Sequence, residues 1–216
     1  MIITIDGPAG TGKSTVAQCL AKVLEFEYLD TGAMYRMIAL KVLNSSVSPE
    51  DSDQVAELAG TAQLKFDQGA AILDGGDVTH RLREPEVSAA ASVVAQNSTV
   101  RKILVTQQQA IAKGCDIVCE GRDQGTVVFP HADFKFFLTA DEEIRARRRM
   151  EDLQRLGTEA SFDDVLTEQR ERDARDETRS IAPLQPAHDA VIVDSSRMTI
   201  EEVVKHLQNV ISESNS

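Results

Sequence analysis

The first fifteen residues constrain the fold of this chain more than any other stretch. An apolar run at residues 2–5 favours a β-strand. It leads directly into Gly-Pro-Ala-Gly-Thr-Gly-Lys-Ser at residues 7–14, and a helix-forming segment follows. Strand, glycine-rich turn and helix N-terminus in this order form a P-loop, in which successive backbone N–H groups point at one anion. Glycine allows this close approach because a Cβ would obstruct it. The sequence therefore predicts a site for the phosphates of a nucleoside triphosphate.

The predicted phosphate site takes its groups from one continuous segment, and the positive end of the helix dipole adds to its attraction for anions. Lys13 is expected to reach the β- and γ-phosphates, and the Ser14 hydroxyl is expected to ligate Mg²⁺. The predicted nucleotide-binding residues are Gly7, Pro8, Ala9, Gly10, Thr11, Gly12, Lys13, Ser14 and Thr15. The alternative interpretation is a glycine turn that binds nothing.

Strand and helix patterns alternate along most of the chain. This alternation predicts an α/β protein of three layers, with a parallel sheet flanked by helices. Residues 64–67 and 70–73 have the pattern of a strand hairpin, with a further turn at 74–77, and interrupt the alternation as a small insert. Ligands of a parallel sheet bind beyond the carboxyl ends of its strands. Four loops are therefore expected to open onto one crevice: residues 7–15, 30–36, 121–123 and 139–141.

Composition narrows the classes of protein that fit this chain. Its 216 residues suit one α/β domain with an insert. The net charge of −12 argues against general binding to nucleic acid or to an acidic membrane surface, which needs a basic face. The three cysteines are an odd number and offer no disulfide framework, and neither a signal peptide nor a membrane span is evident. We expect a reduced, cytoplasmic protein, and a monomer because no large apolar surface stripe is evident.

Nine arginines lie between residues 145 and 179 of this acidic chain. For Arg145, Arg147 and Arg170 the favoured interpretation is a solvated helix face with i,i+4 pairs to glutamate. Four other residues fall at spacings of three, four and seven and share one helical face: Arg172, Arg175, Asp176 and Arg179. Because guanidinium groups bind phosphate oxygens bidentately and a carboxylate accepts from sugar hydroxyls, this face predicts a phosphate-and-sugar clamp.

The segment Gly-Arg-Asp at residues 121–123 follows a predicted buried strand. A loop at the carboxyl end of such a strand is where a doubly wound sheet places reacting groups. The segment therefore predicts functional roles for Arg122 and Asp123, and the alternative is a simple turn.

Several blocks of the chain together resemble the bacterial cytidylate kinase family, in order and over essentially the whole length. The most specific are Asp-Thr-Gly-Ala-Met-Tyr-Arg at residues 30–36 and Gly-Arg-Asp-Gln-Gly-Thr-Val-Val-Phe-Pro at 121–130; the others lie at residues 83–92, 100–101, 147–150, 171–176 and 179–183. The resemblance implies transfer of the γ-phosphoryl group of ATP to CMP and dCMP, with Mg²⁺. It also implies one P-loop kinase domain over residues 1–216, with a monophosphate-binding lobe at about 31–113, which carries the insert, and a short lid at about 145–160.

The resemblance also implies a role for each matching residue. The phosphate of CMP would be held by Thr31, Arg36, Arg122 and Arg179; the pentose would contact Arg172 and Asp176; and the cytosine would contact Ser92, Arg101 and Asp123. Arg148 would lie on the lid, near the phosphates of ATP. The residues expected to be catalytic are Lys13, Arg122, Asp123, Arg148 and Arg179. The chain departs from the family at Glu120 and Gln124, where relatives have aspartate and an apolar residue. We expect neither change to affect a contact named above, and the alternative is that these positions adjust base selectivity.

Chemistry supports Asp123 as the reader of the base. Cytosine presents an exocyclic amine where uracil presents a carbonyl, and a carboxylate accepts a hydrogen bond from that amine. Opposite uracil the same carboxylate would be buried without a partner, which is costly.

Two other classes of function remain open. One is a kinase for a different small acceptor, either another nucleoside monophosphate or a metabolite such as shikimate. The other is a regulatory nucleotide switch with a protein partner, although the chain lacks the Asn-Lys-x-Asp segment that reads guanine in such switches. The arginine clamp favours a nucleoside monophosphate over an uncharged acceptor, and does not separate one monophosphate from another.

Overall fold

The computed structural model describes residues 1–67, 69–155 and 157–214. Its strands, in chain order, are β1 (Ile2–Asp6), β2 (Glu27–Asp30), β3 (Leu64–Asp67), β4 (Ala70–Leu73), β5 (Gly76–Asp77), β6 (Ile117–Glu120), β7 (Phe134–Thr139) and β8 (Val191–Asp194). Its α-helices are α1 (Lys13–Leu24), α2 (Thr31–Asn44), α3 (Ser52–Thr61), α4 (Pro85–Val94), α5 (Ser98–Ala112), α6 (Glu142–Arg155), α7 (Phe162–Thr178) and α8 (Ile200–Ser214).

The chain divides into two compact units, and each is described by itself. One unit contains residues 1–29 together with the chain from Gly114 onward, and the other contains Asp30–Lys113. Every α-helix in the described part of the chain is too short or too polar to span a bilayer.

The first unit is built on a five-stranded sheet with the order β2-β6-β1-β7-β8. The central strand β1 pairs in parallel with β6 and β7, so that Ile3 lies beside Val118 on one side and Phe134 on the other. Because parallel strands are covered by helices, these strands are mostly apolar, with the buried exceptions Thr4, Asp6, Glu120 and Lys135. Aliphatic side chains from the sheet pack with Leu20 of α1 and Leu207 of α8 in one core. The predicted α/β fold with a parallel sheet flanked by helices is confirmed.

The helix starts of this unit follow the capping signals of the sequence. At the start of α8, the backbone N–H of Thr199 donates to the Glu202 carboxylate at 2.8 Å, and the N–H of Glu202 donates to the Thr199 hydroxyl at 3.2 Å. Each group thus satisfies a backbone N–H that the helix leaves unpaired. The Ser161 hydroxyl accepts from the N–H of Asp164 in the same manner at α7. Both caps were predicted, and α7 is the helix that carries the second group of arginines.

The second unit packs α2 against α4 and α3 against α5, beside a small antiparallel sheet of β3, β4 and β5. The predicted hairpin strands at residues 64–67 and 70–73 are confirmed. Residues 74–77 were predicted only as a turn, but their last two form the short strand β5. Asp74 and Gly75 make the connection with φ angles of 50° and 85°, the left-handed geometry of a tight hairpin turn.

Candidate nucleotide-binding site

The glycine-rich turn of residues 7–12 connects β1 to α1, as the sequence predicts for a P-loop. Gly7 has a φ angle of 142°, and a Cβ placed on it would lie 2.1 Å from the carbonyl oxygen of Leu138. Gly10 has a φ angle of 78°, and its Cβ would lie 2.9 Å from the Cβ and carbonyl oxygen of Arg145. Both positions therefore require glycine, because of their positive φ angles and because Leu138 and Arg145 leave no room for a Cβ.

Lys13 begins α1 with its side chain buried at the turn. Its ammonium group donates to the carbonyl of Pro8 at 2.7 Å. Burial, followed by the nearby charge of Arg122, lowers the pKa of Lys13 to about 7, and the carboxylate of Glu120 acts in the opposite direction. The lysine thus stands among cations, in an environment that an anionic phosphate would complement.

Ser14 contacts a carboxylate that the sequence did not identify as functional. Its hydroxyl donates to Glu120 at 2.6 Å, and Glu120 is buried at the carboxyl end of β6. Glu120 therefore contacts a residue that the sequence assigns to Mg²⁺, a link that the sequence analysis did not anticipate. The signal in the sequence was an acidic residue directly after the buried strand, and the parallel pairing of β6 with β1 brings it to the P-loop.

Asp6 is a second buried carboxylate that sequence reasoning passed over. Its two oxygens accept from the backbone N–H groups of Gln124 at 2.9 Å and Gly125 at 2.8 Å. Burial raises the pKa of Asp6 to about 7, against the effect of these hydrogen bonds. The last residue of β1 thus holds the short π-helical turn Gln124–Val128, which follows directly after Asp123.

Two ion pairs join the segment after β6 to α7 and the residue that follows it. Arg122 Nε lies 3.0 Å from the carboxylate of Asp176, and Arg179 Nη2 lies 3.7 Å from Asp123. The Arg179 and Asp123 side chains are each 5% exposed. Burial acts to raise the pKa of Asp176, but the charges of Arg122 and then of its neighbours hold it below the ordinary value. The structure therefore brings these four predicted residues into one buried cluster.

The predicted clamp face of α7 is correct only in part. The charge of Arg172 adds, behind burial and Arg122, to the lowered pKa of Lys13, so Arg172 belongs to the cluster. Arg175 instead donates to the carbonyl of Glu171 within the helix. Helix α7 ends at Thr178, so Arg179 lies beyond the helical face on which the spacing placed it.

The interpretation of Arg145 as part of a solvated face is wrong. Arg145 is 8% exposed, and it bonds to the carbonyl of Ala9 at 3.1 Å and to Asp173 of α7 at 2.5 Å. The same interpretation is confirmed for Arg147, whose side chain is 61% exposed and pairs with Glu143 at i,i+4. Arg170 is also exposed, at 57%, but it pairs with Glu142 of α6 and not with a glutamate of its own helix. Periodicity shows which residues share a face, but here α7 and the P-loop cover one part of that face.

Arg148 contacts the P-loop from α6. Its guanidinium donates to the backbone carbonyl of Ser195 at 2.8 Å and to that of Thr11 at 3.5 Å. The buried hydroxyl of Ser195 donates to the carbonyl of Thr11 at 2.9 Å. Ser195 follows the last strand of the sheet, and its role in supporting the P-loop was not predicted.

The other predicted substrate residues belong to the second unit. Arg36 Nη2 pairs with Asp30 at 2.8 Å, and Asp30 also caps α2 by accepting from the N–H of Ala33 at 2.7 Å. A Cβ on Gly32 would lie 2.9 Å from Arg36 Nη1, so glycine makes room for the guanidinium. Thr31 is buried at the start of the same helix. The predicted phosphate ligands Thr31 and Arg36 thus lie within one turn-and-helix segment.

Ser92 and Arg101, the predicted base contacts of this unit, are both buried. Among the described residues, no hydrogen-bond partner lies within reach of the Ser92 hydroxyl. The guanidinium of Arg101 stands 5.7 Å from the centre of the Tyr35 ring. A buried hydroxyl that lacks a partner is costly, which is consistent with a position kept for a ligand.

Comparison with known proteins identifies the family. The cytidylate kinase family profile matches residues 3–213. This chain belongs to the cytidylate kinase family. A cytidylate kinase from Caldanaerobacter subterraneus is 49% identical over 97% of this chain and 93% of its own length. The cytidylate kinase of Vibrio cholerae is 47% identical over 94% of this chain and 92% of its own length.

Solved structures place the fold of this cytidylate kinase family member among P-loop kinases. The shikimate kinase from Bacteroides thetaiotaomicron has a TM-score of 0.52 at 13% identity and covers 98% of both chains. The shikimate kinase from Acinetobacter baumannii has the same TM-score at 14% identity, over 99% of this chain and 93% of that one. At this level of identity the likeness concerns the fold alone.

Proposed function

We propose that this protein transfers the γ-phosphoryl group of ATP to CMP and dCMP, giving ADP and the corresponding diphosphate. The observation that carries the proposal is the buried cluster of Arg122, Asp123, Asp176 and Arg179 beside the P-loop lysine. This cluster joins residues of the specific block at 121–130 to residues of the blocks at 171–176 and 179–183. Membership of the cytidylate kinase family supports ATP as the donor and CMP as the acceptor.

Positive charge and positioning supply the catalysis. In phosphoryl transfer the transition state spreads charge over the equatorial oxygens, so cationic groups and fixed backbone N–H groups stabilise it. The P-loop backbone and Lys13 hold the β- and γ-phosphates in this proposal. Arg148 contacts the carbonyls of Thr11 and Ser195, and this position at the P-loop supports its proposed role near the phosphates of ATP. No side chain is assigned as a general base.

The residues around Ser14 fit a magnesium ion. Mg²⁺ prefers oxygen ligands and takes one or two from the protein, with phosphate oxygens and water supplying the others. The Ser14 hydroxyl and the Glu120 carboxylate stand 2.6 Å apart beside the P-loop lysine and form such a donor set. We propose that these two groups hold the ion, directly or through water. Bound there, Mg²⁺ would neutralise part of the negative charge on the phosphates of ATP.

The acceptor phosphate is bound by guanidinium groups in this proposal. Asp176 and Asp123 orient Arg122 and Arg179, and Asp30 orients Arg36. A guanidinium carries five N–H donors in a rigid fork, so one edge can pair with a carboxylate while other donors bind phosphate. Thr31 adds a hydroxyl donor.

The sugar and the base of CMP are recognised by five polar side chains, two of which also orient the arginines named above. Arg172 and Asp176 bind the pentose, and Asp123, Ser92 and Arg101 bind the cytosine. Asp123 accepts from the exocyclic amine, and this contact separates cytosine from uracil. The buried hydroxyl of Ser92 gains in the nucleotide the partner that the described residues do not offer.

A coupled assay of ADP release tests the proposal. The acceptors are CMP, dCMP, UMP, AMP and shikimate, each with ATP and Mg²⁺, and ATP without an acceptor is the control. CMP and dCMP should give the highest kcat/KM, with slow hydrolysis in the control. Equal turnover of AMP or shikimate would overturn the assignment of the acceptor. ADP release that no acceptor accelerates would favour a regulatory ATPase.

Three other predictions from the sequence are independent of this assay. A cytoplasmic location, a monomeric state and the absence of nucleic-acid binding remain predictions. The three cysteines, Cys19, Cys115 and Cys119, are free thiols in the structure.

A further inference from the structure

Arg145 connects three segments through one guanidinium. It projects from α6, its Nε donates to the carbonyl of Ala140 at 3.0 Å, and its Nη1 donates to the carbonyl of Ala9 at 3.1 Å. The same Nη1 pairs with Asp173 of α7 at 2.5 Å. Arg145 and Asp173 are both buried, so solvent screens this pair little.

The contact with Ala9 fixes the orientation of a P-loop peptide. In a trans peptide the C=O of one residue and the N–H of the next point in opposite directions. Because the carbonyl of Ala9 is held toward Arg145, the N–H of Gly10 is held away from it. The backbone of Arg145 also leaves no room for a Cβ on Gly10. Arg145 therefore restrains the peptide that presents one of the phosphate-binding N–H groups.

The ion pair with Asp173 links Arg145 to helix α7, which carries two residues of the proposed CMP site, Arg172 and Asp176. Asp173 follows Arg172 directly and lies on the buried side of α7 with Asp176. Asp176 in turn pairs with Arg122 at 3.0 Å. A shift of α7 would therefore move Asp173 and Asp176 together, and the Arg145 guanidinium would transmit it to the P-loop carbonyl.

We propose that Arg145 is a positioning residue that couples the two nucleotide sites, so that ATP in the P-loop strengthens the binding of CMP at α7. The inference rests on the proposed function, because it takes α7 as part of the CMP site. When ATP binds, its phosphates fix the P-loop backbone and therefore the position of the Ala9 carbonyl. Because Arg145 bonds to this carbonyl and to Asp173, the position of α7 is fixed as well. By linkage, CMP strengthens the binding of ATP by the same factor.

A second ion pair between the same helices provides a matched control. Arg170 of α7 pairs with Glu142 of α6 at 2.5 Å, with side chains 57% and 46% exposed. It joins α6 to α7 as the Arg145–Asp173 pair does, but its guanidinium binds the Glu142 carboxylate and not a P-loop carbonyl. If α6–α7 pairing alone were sufficient for coupling, loss of this pair would also reduce it.

The experiment measures the Kd of CMP by calorimetry, with and without a non-hydrolysable ATP analogue and Mg²⁺. The proteins are the wild type, Arg145→Lys, Asp173→Asn and the control Arg170→Gln. Lysine keeps the buried charge but cannot make the forked contacts, and asparagine keeps the shape of Asp173 without its charge. The analogue should tighten CMP binding to the wild type and to the control by a factor in the range of about 5 to 150. In the two test variants this enhancement factor should fall toward one. The Kd of CMP measured without the ATP analogue should change by a smaller factor than the enhancement does.

Each other outcome counts against the proposal. Wild-type enhancement in Arg145→Lys and Asp173→Asn, or none in the wild type, overturns the coupling but leaves CMP kinase activity standing. An equal loss in Arg170→Gln assigns the effect to helix packing in general. Failure of the wild type to bind CMP overturns the proposed function and the coupling together. If circular dichroism shows that both test variants are unfolded, the pair serves folding and the proposal fails.

Discussion

Replacing Asp123 with asparagine tests how the protein distinguishes cytosine from uracil. Asp123 is 5% exposed at its side chain, and its Oδ1 lies 3.7 Å from Arg179 Nη2. Asparagine retains the volume but removes the charge, and its amide can rotate to present a donor to the uracil carbonyl. The carboxylate advantage for cytosine is then lost.

The size of the effect follows from the strength of one charged hydrogen bond. Such a bond contributes about 1.5–3 kcal/mol, so the ratio of kcat/KM for CMP over UMP should fall by about 10- to 150-fold. The substitution also weakens the contact with Arg179, which we assign to the acceptor phosphate. Both nucleotides carry that phosphate, so this loss lowers both values of kcat/KM and cancels in the ratio.

Steady-state assays with CMP and UMP measure the ratio, and Glu120→Gln provides the control. Glu120 is also a buried carboxylate and lies three residues away, but it contacts the Ser14 hydroxyl. Its substitution should lower turnover of both acceptors and leave their ratio unchanged. An unchanged ratio in Asp123→Asn, or an equal change in Glu120→Gln, would refute base reading by Asp123.

Three further predictions concern the P-loop and its support. Lys13→Ala should lower kcat on the order of 10³-fold with a much smaller change in the Kd of CMP, and near-normal kcat would contradict its catalytic role. Gly10→Ala should weaken binding of an ATP analogue, measured by calorimetry, because the added Cβ would collide with Arg145. Gly75→Ala is the control: Gly75 has a similar φ angle but open space around it, so this variant should bind the analogue normally. Asp6 has a pKa raised from 3.8 to about 7, so the folded state binds its proton more tightly than the unfolded state does. Its contribution to the free energy of unfolding is at most about 4 kcal/mol. This contribution is fully present below pH 4 and is lost as the pH rises through 7. Denaturant titrations at pH 5 and 8 should show Asp6→Asn gaining stability relative to the wild type, and a constant difference would contradict the raised pKa.

Local patterns were sufficient for much of the fold. The glycine-rich turn, the capping box of α8 and the hairpin strands depend on interactions between residues close in the chain, and each is confirmed in the structure. At α7 the Ser161 cap forms, but the Asp164 carboxylate accepts from the Ser161 hydroxyl. The short strand β5 was missed because two residues provide too little pattern, and its pairing with β4 decides the assignment. The blocks at residues 30–36 and 121–130 also identified the family, since they are specific as sequences.

By itself, then, the sequence determined the phosphate-binding turn, the α/β class, the family and most of the candidate site. Only the tertiary structure decided what the buried charges do. Parallel pairing of β1 with β6 brings Glu120 to Ser14, and the packing of α6 against α7 turns Arg145 from a surface residue into a buried link. The physical reason is that helical and strand periodicity record which side chains share a face. The partner that covers that face, and so the environment of each charge, comes from segments distant in the chain.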